Sequence, residues 1–227
     1  MWSVSARDKW RWLGALVLAL DVSLSLCGPA TAQGIAGYPA DVFAFDPREI
    51  ALLPKFCTYT QHFRARVPGG SDPALIEQWH ARLGPDFVHL HHYCYGLMKT
   101  NRAVLLARDR TARQFYLSDA IVEFDYVIVR ATDDFVLLPE VRLKKGENLV
   151  LLGKGPLAVL EFESAIELRK DYWPPYAQLS DYYKDSGDSL KAKEVLVRGL
   201  TAAPDAKALQ RRLAEMETAG KRAGAKP

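Results

Sequence analysis

The chain has 227 residues, 49% of them apolar and 25% charged, which suits one main domain with at most a small companion. Its formal charge is +3, and without the three bases and two acids of residues 1–32 it is +2. That balance predicts no nucleic-acid role and no membrane-surface role.

At the N-terminus, Arg7, Lys9 and Arg11 precede a mostly apolar run over 12–26, followed by Ala30-Thr31-Ala32. Basic, apolar, then small is the order of a signal peptide. We expect residues 1–32 to be that segment, with cleavage after Ala32 and a mature chain starting at Gln33. The mature protein would then be periplasmic or secreted. The alternative is a membrane anchor at 12–26, the only membrane contact expected if this segment is uncleaved. A run of about 15 apolar residues falls short of the roughly 20 that a spanning helix needs, and Asp21 interrupts it. An oxidising compartment would let Cys57 and Cys94 form a disulfide. Two separate buried thiols are the other reading.

Residues 33–85 read as an irregular N-terminal arm with one short helix. Gly34, Gly37, Pro39, Pro47 and Pro54 break any periodicity, and Pro68-Gly69-Gly70-Ser71-Asp72-Pro73 is a loop. A helix over 74–82 stops at Gly84-Pro85. From Asp86 the pattern is helical. Phe87, Leu90, Cys94, Leu97, Met98 and Leu105 fall on one face. After a break at Arg108-Asp109-Arg110, Phe115, Ile121, Phe124, Val127 and Ile128 mark a second helix that ends near Thr132. We take 86–138 as an irregular helical pair. Further breaks fall near Gly153-Lys154-Gly155, Asp171-Tyr172, Ser186-Gly187 and Ala203-Pro204. The fold class is all-α, apart from the arm. The last residues, 220–227, form a small, basic, disordered tail.

Residues 139–206 contain an internal repeat of 34 residues. Shifting Pro139–Tyr172 onto Trp173–Ala206 places Gly146 on Ser180, Leu149 on Tyr183 and Gly153 on Gly187. It also places Ala158 on Ala192, Phe162 on Leu196 and Ala165 on Gly199. Small residues would mark close helix crossings, bulky ones the space between, and the paired glycines the turns.

The pattern of small, large, turn glycine, alanine, aromatic, alanine and closing proline resembles the tetratricopeptide repeat (TPR) family. Gly146, Leu149, Gly153, Ala158, Phe162 and Ala165 carry it in the first unit. Tyr176, Leu179, Tyr183, Gly187, Ala192 and Pro204 carry it in the second. Lys170 replaces a proline and Lys145 a large apolar residue. The resemblance implies a helical-repeat, TPR-like α-solenoid with a capping helix over 207–219. Two repeats alone rarely stand, so the 86–138 pair should pack on them. It also places Glu140, Leu143, Glu147, Val150, Ala177, Asp181 and Lys184 on a concave, mixed apolar and acidic face. That face would suit an amphipathic helix or a basic segment. Trp173 and Tyr182 are the aromatics best placed to anchor a partner.

His89-Leu90-His91-His92-Tyr93-Cys94 is the most unusual stretch. His89 and His92, three apart on a helix, are candidate metal ligands, though two fall short of the usual three or four. Histidines at a helix seam more often satisfy core hydrogen bonds. The sequence carries no haem-attachment motif, phosphate loop or nucleophile elbow. We expect no enzyme and no cofactor. The leading expectation is an extracytoplasmic adaptor or scaffold that binds another protein through its helical surface. Support of an envelope assembly or secretion system is the setting that analogy suggests. A metal-binding protein using His89 and His92 is the alternative.

Overall fold

The computed structural model describes residues 45–224. The signal-like segment 1–32, the first part of the arm and residues 225–227 lie outside the described residues. Backbone contacts divide the chain into Met1–Gln33 and Gly34–Pro227, and the helices belong to the second unit.

All regular structure among the described residues is helical. The N-terminal segment is short turns of helix, each with a local cause. Helix α1 (Pro47–Ile50) starts where the Asp46 carboxylate accepts the Arg48 N–H and Pro47 presets the first φ. A 3-10 turn follows at Lys55–Tyr59. Helix α2 (Pro73–Leu83) is capped by Asp72, which accepts from the N–H groups of Ala74 and Leu75. It stops at Gly84, whose φ of +80° only glycine adopts easily.

A 3-10 turn at Pro85–His89 leads into α3 (Leu90–Asn101), which passes into a π turn at Arg102–Leu106. Asp109 then caps α4 (Arg110–Arg130) through the Ala112 N–H at 2.8 Å. Five helices complete the chain: α5 (Leu138–Leu151), α6 (Gly155–Leu168), α7 (Pro174–Asp185), α8 (Ser189–Ala202) and α9 (Lys207–Gly224). Gly153 and Gly187, at φ +74° and +84°, make the tight turns after α5 and α7. Helix α9 continues past Ala219, into what the sequence suggested was a tail.

Consecutive helices pack on one another from α3 to α9. In addition, α5 touches α3 and α7, and α7 touches α9. One hydrophobic cluster joins the N-terminal turns to α3, α4 and the start of α5, through residues such as Phe63, Tyr93, Phe124 and Val141. A second runs from Leu143 through Phe162, Tyr176 and Leu196 to Leu209. Each fully buried side chain of this size contributes about 1.5–3 kcal/mol.

Small residues set the helix spacing. A Cβ on Gly96 would fall 2.5 Å from the Phe124 ring, and one on Gly146 would fall 2.5 Å from the Phe162 ring. The α3–α4 and α5–α6 pairs therefore share one device, an aromatic ring over a bare glycine. In α7–α8 the matching Ser180 donates its hydroxyl to the Ala192 carbonyl at 3.0 Å.

Two long-range links fasten the N-terminal turns. Cys57 and Cys94 form a disulfide. The Arg102 guanidinium, fully buried, donates to both Glu49 carboxylate oxygens at 2.6 and 2.9 Å.

Two expected core residues face outward. Leu105 is 62% exposed and Phe115 is 42% exposed. Leu105 lies within the π turn, whose wider winding rotates it off the buried face. Phe115 lies to the side of the stripe of Ala112, Tyr116 and Ala120 that α4 buries, with its ring edge-on to Tyr116 at 5.4 Å.

Candidate partner-binding surface

The first helices of the three pairs, α3, α5 and α7, neighbour one another, and α9 follows. The polar residues on this layer are linked in pairs. Tyr93 on α3 donates to Glu140 on α5 at 2.7 Å. Burial and the Glu140 charge hold the Tyr93 hydroxyl well above its ordinary range. Tyr172, before α7, is raised for the same two reasons. Lys144 holds Glu147 at 3.0 Å. At the C-terminal end Arg212 of α9 grips Asp181 of α7 through Nε and Nη2, the latter at 2.7 Å.

Of the residues expected on the concave face, Val150, Trp173 and Lys184 are exposed. Glu147 and Asp181 are half-buried, and each has a cation of its own, so the surface is less acidic than expected. Tyr182 is half-buried, with its ring against Gly155. Leu143 and Ala177 must be removed from the face. They are only 3% and 2% exposed and belong to the second cluster. Helices α5 and α7 meet directly, so apolar residues are needed at their seam, and these two supply it.

Two open grooves border this layer. One, of about 370 Å³, is lined by Asp181, Lys184, Arg211, Arg212, Glu215 and Met216. The other, of about 580 Å³, lies between Trp173 and the Ala203–Ala208 turn. Sequence reasoning named Asp181, Lys184 and Trp173 and missed the α9 side. The signal was available: a capping helix with Leu209, Leu213 and Met216 turned inward must offer Arg212 and Glu215 beside them.

The outer helices are cross-linked by charge. The Lys145 ammonium lies 2.7 Å from Asp125 on α4 and 2.6 Å from Glu161 on α6. Burial works against its charge, but the two carboxylates hold it above its ordinary value. This explains a lysine where the repeat pattern favours an apolar side chain: it bridges two neighbours.

His89, at the end of a 3-10 turn, and His92, within α3, both set their rings against Tyr126, at 5.9 and 3.4 Å. The His91 ring lies 4.7 Å from that of His62 and 4.3 Å from that of His92. His92 stacks on Tyr126 at 3.4 Å, and the Arg130 guanidinium lies over the same tyrosine at 3.7 Å. His92 Nδ1 is paired with Glu123, which also accepts from the buried Lys99. Burial, then the neighbouring His92 and His62, push His91 down to about 4. No group of three or more His, Cys, Asp or Glu among the described residues is arranged to hold a metal ion. No helix among them is long and apolar enough to cross a membrane.

No protein-family model matches the chain, and no curated protein matches its sequence.

Proposed function

We propose that this protein is an extracytoplasmic adaptor whose TPR-like helical array docks another protein. The observation that carries the reading is the recurring helix pair. Gly96 lies under Phe124, Gly146 lies under Phe162, and Ser180 bonds to Ala192, so in three successive pairs a small residue of the first helix meets the second helix closely. Such arrays bury only neighbour-to-neighbour surface and leave one extended layer for a partner. The partner layer is the α5–α7–α9 side, with Val150, Trp173 and Lys184 as its exposed members. Trp173 beside the Ala203–Ala208 turn is the aromatic anchor. The Cys57–Cys94 bridge fits an oxidising compartment. An envelope assembly or secretion system is the setting, by analogy alone.

The test uses the chain from Gln33 as bait in an envelope extract. Trp173→Ala/Lys184→Glu is the loss variant and Leu190→Ala, on the far side of α8, the control. One dominant partner, kept by the control and lost in the double variant, supports the reading. A partner retained by both variants moves binding off this layer. No partner at all counts against an adaptor.

A further inference from the structure

Three consecutive large apolar residues stand in solvent at the end of α3. Val104, Leu105 and Leu106 are 55%, 62% and 46% exposed, and Leu52 beside them is 57% exposed. Leu52, Leu105 and Leu106 line one groove of about 190 Å³ with Asp46, Arg48, Glu49 and Asn101, where Asp46 is paired with Arg48 and Glu49 with Arg102, so the patch is continuous across two segments. It sits where α3 turns over into α4.

The backbone creates the exposure. Ala107 N–H bonds back to the Arg102 carbonyl at 2.9 Å, closing the wider π turn. Arg102 and Ala103, which begin that turn, are buried, and Arg102 is locked to Glu49. The next three residues are therefore held outward by a fixed base. π turns of this kind recur at functional sites, and solvent-facing apolar clusters mark interaction surfaces.

The charge beside the patch selects its occupant. Residues 107–113 read Ala-Arg-Asp-Arg-Thr-Ala-Arg, with Arg108, Arg110 and Arg113 all exposed. The single acid, Asp109, has one oxygen committed to the Ala112 N–H. The whole-chain charge of +3 conceals this local excess. Exposed apolar side chains followed in the chain by exposed arginines match the two layers of a membrane interface: acyl chains below, phosphates above.

We propose that the α3–α4 tip docks on an anionic lipid surface, with Val104, Leu105, Leu106 and Leu52 entering the interface and Arg108, Arg110 and Arg113 meeting the headgroups. This contact is separate from the partner layer and does not depend on that assignment.

The experiment is vesicle co-sedimentation of the chain from Gln33. It lacks the apolar 12–26 run, and residues 34–227 form a unit of their own with both hydrophobic clusters. Vesicles of phosphatidylcholine alone are compared with vesicles containing phosphatidylglycerol. Binding to the anionic vesicles is expected, falling as salt rises. Leu105→Asp/Leu106→Asp should weaken it by about tenfold or more, as should Leu52→Asp/Val104→Asp, which alters a second segment. Arg108→Gln/Arg113→Gln should weaken it several-fold while the melting temperature stays at the wild-type value. Absence of binding to anionic vesicles overturns the proposal, as does equal binding to both compositions. Wild-type dimers that the leucine variants convert to monomers would overturn it too, because a second copy would then cover the patch.

Discussion

Glu49 and Arg102, fifty-three residues apart, form a buried bidentate ion pair that fastens the N-terminal turns to the end of α3. Glu49→Ala removes both of these charge-assisted hydrogen bonds from the buried Arg102 and should destabilise the protein by about 3 kcal/mol. Glu49→Leu/Arg102→Met, which removes both charges, should recover part of that loss. Urea unfolding of the three proteins measures the difference. Equal stability of the single and double variants would mean that the charge left on Arg102 is not what costs the single variant its stability.

The glycine under Phe162 is the second test. Gly146→Ala gains roughly 1 kcal/mol of helix propensity but drives a methyl group into the ring. Overpacking of this kind costs about 1–3 kcal/mol, so the variant should be no more stable than wild type. Gly146→Ala/Phe162→Leu should relieve the clash. Gly96→Ala/Phe124→Leu should behave in parallel if the two pairs work alike.

Reduction of Cys57–Cys94 is the third. The bridge spans 37 residues, and the chain-entropy argument assigns about 4 kcal/mol to such a loop. Adding dithiothreitol during urea unfolding should lower the midpoint substantially. The Cys57→Ser/Cys94→Ser variant should match the reduced wild type and ignore the reagent.

His91 makes stability depend on pH. Its folded value of about 4 lies below the ordinary 6.5, so the unfolded chain takes up the proton first. Stability is therefore full above pH 6.5 and declines as pH falls toward 4. The decline is at most about 1.4 kcal/mol per pH unit from this group. Glu123 adds to it: burial raises its value, but His92 and Lys99 outweigh burial and keep it lowered. Its stabilisation is also lost in acid. His91→Phe should flatten the slope between pH 6.5 and 4 while leaving the Glu123 part. An unchanged slope would remove His91 from the account.

Much of the helical framework was legible because its determinants are local. Asp72-Pro73, Asp109, Gly153 and Gly187 punctuate the chain through their own backbone chemistry, and the structure starts or turns helices at each. What could not be read depends on contacts distant in sequence. Leu105 continues the apolar spacing of α3 perfectly well, but the π turn at Arg102–Leu106 carries it outward. Lys99 and Arg102 look like solvent-facing residues, yet both are buried, because carboxylates from other elements meet them. Leu143 and Ala177 were placed on the open face by family geometry, and the direct packing of α5 on α7 claims them for the interior. On the candidate site, Trp173 was legible as an exposed aromatic and Lys184 through family geometry. The charges of Glu147 and Asp181 were misjudged because their partners, Lys144 and Arg212, were not considered.

Helix α5 supplies buried residues to both hydrophobic clusters, and α4 reaches both as well, through Phe124 and Ile121. Leu138 and Val141 belong to the first hydrophobic cluster, while Leu143 and Leu149 belong to the second. Two cores are thus strung on a single fourteen-residue rod. Loosening α5 would uncover both at once, so the two clusters are expected to melt together and not one after the other.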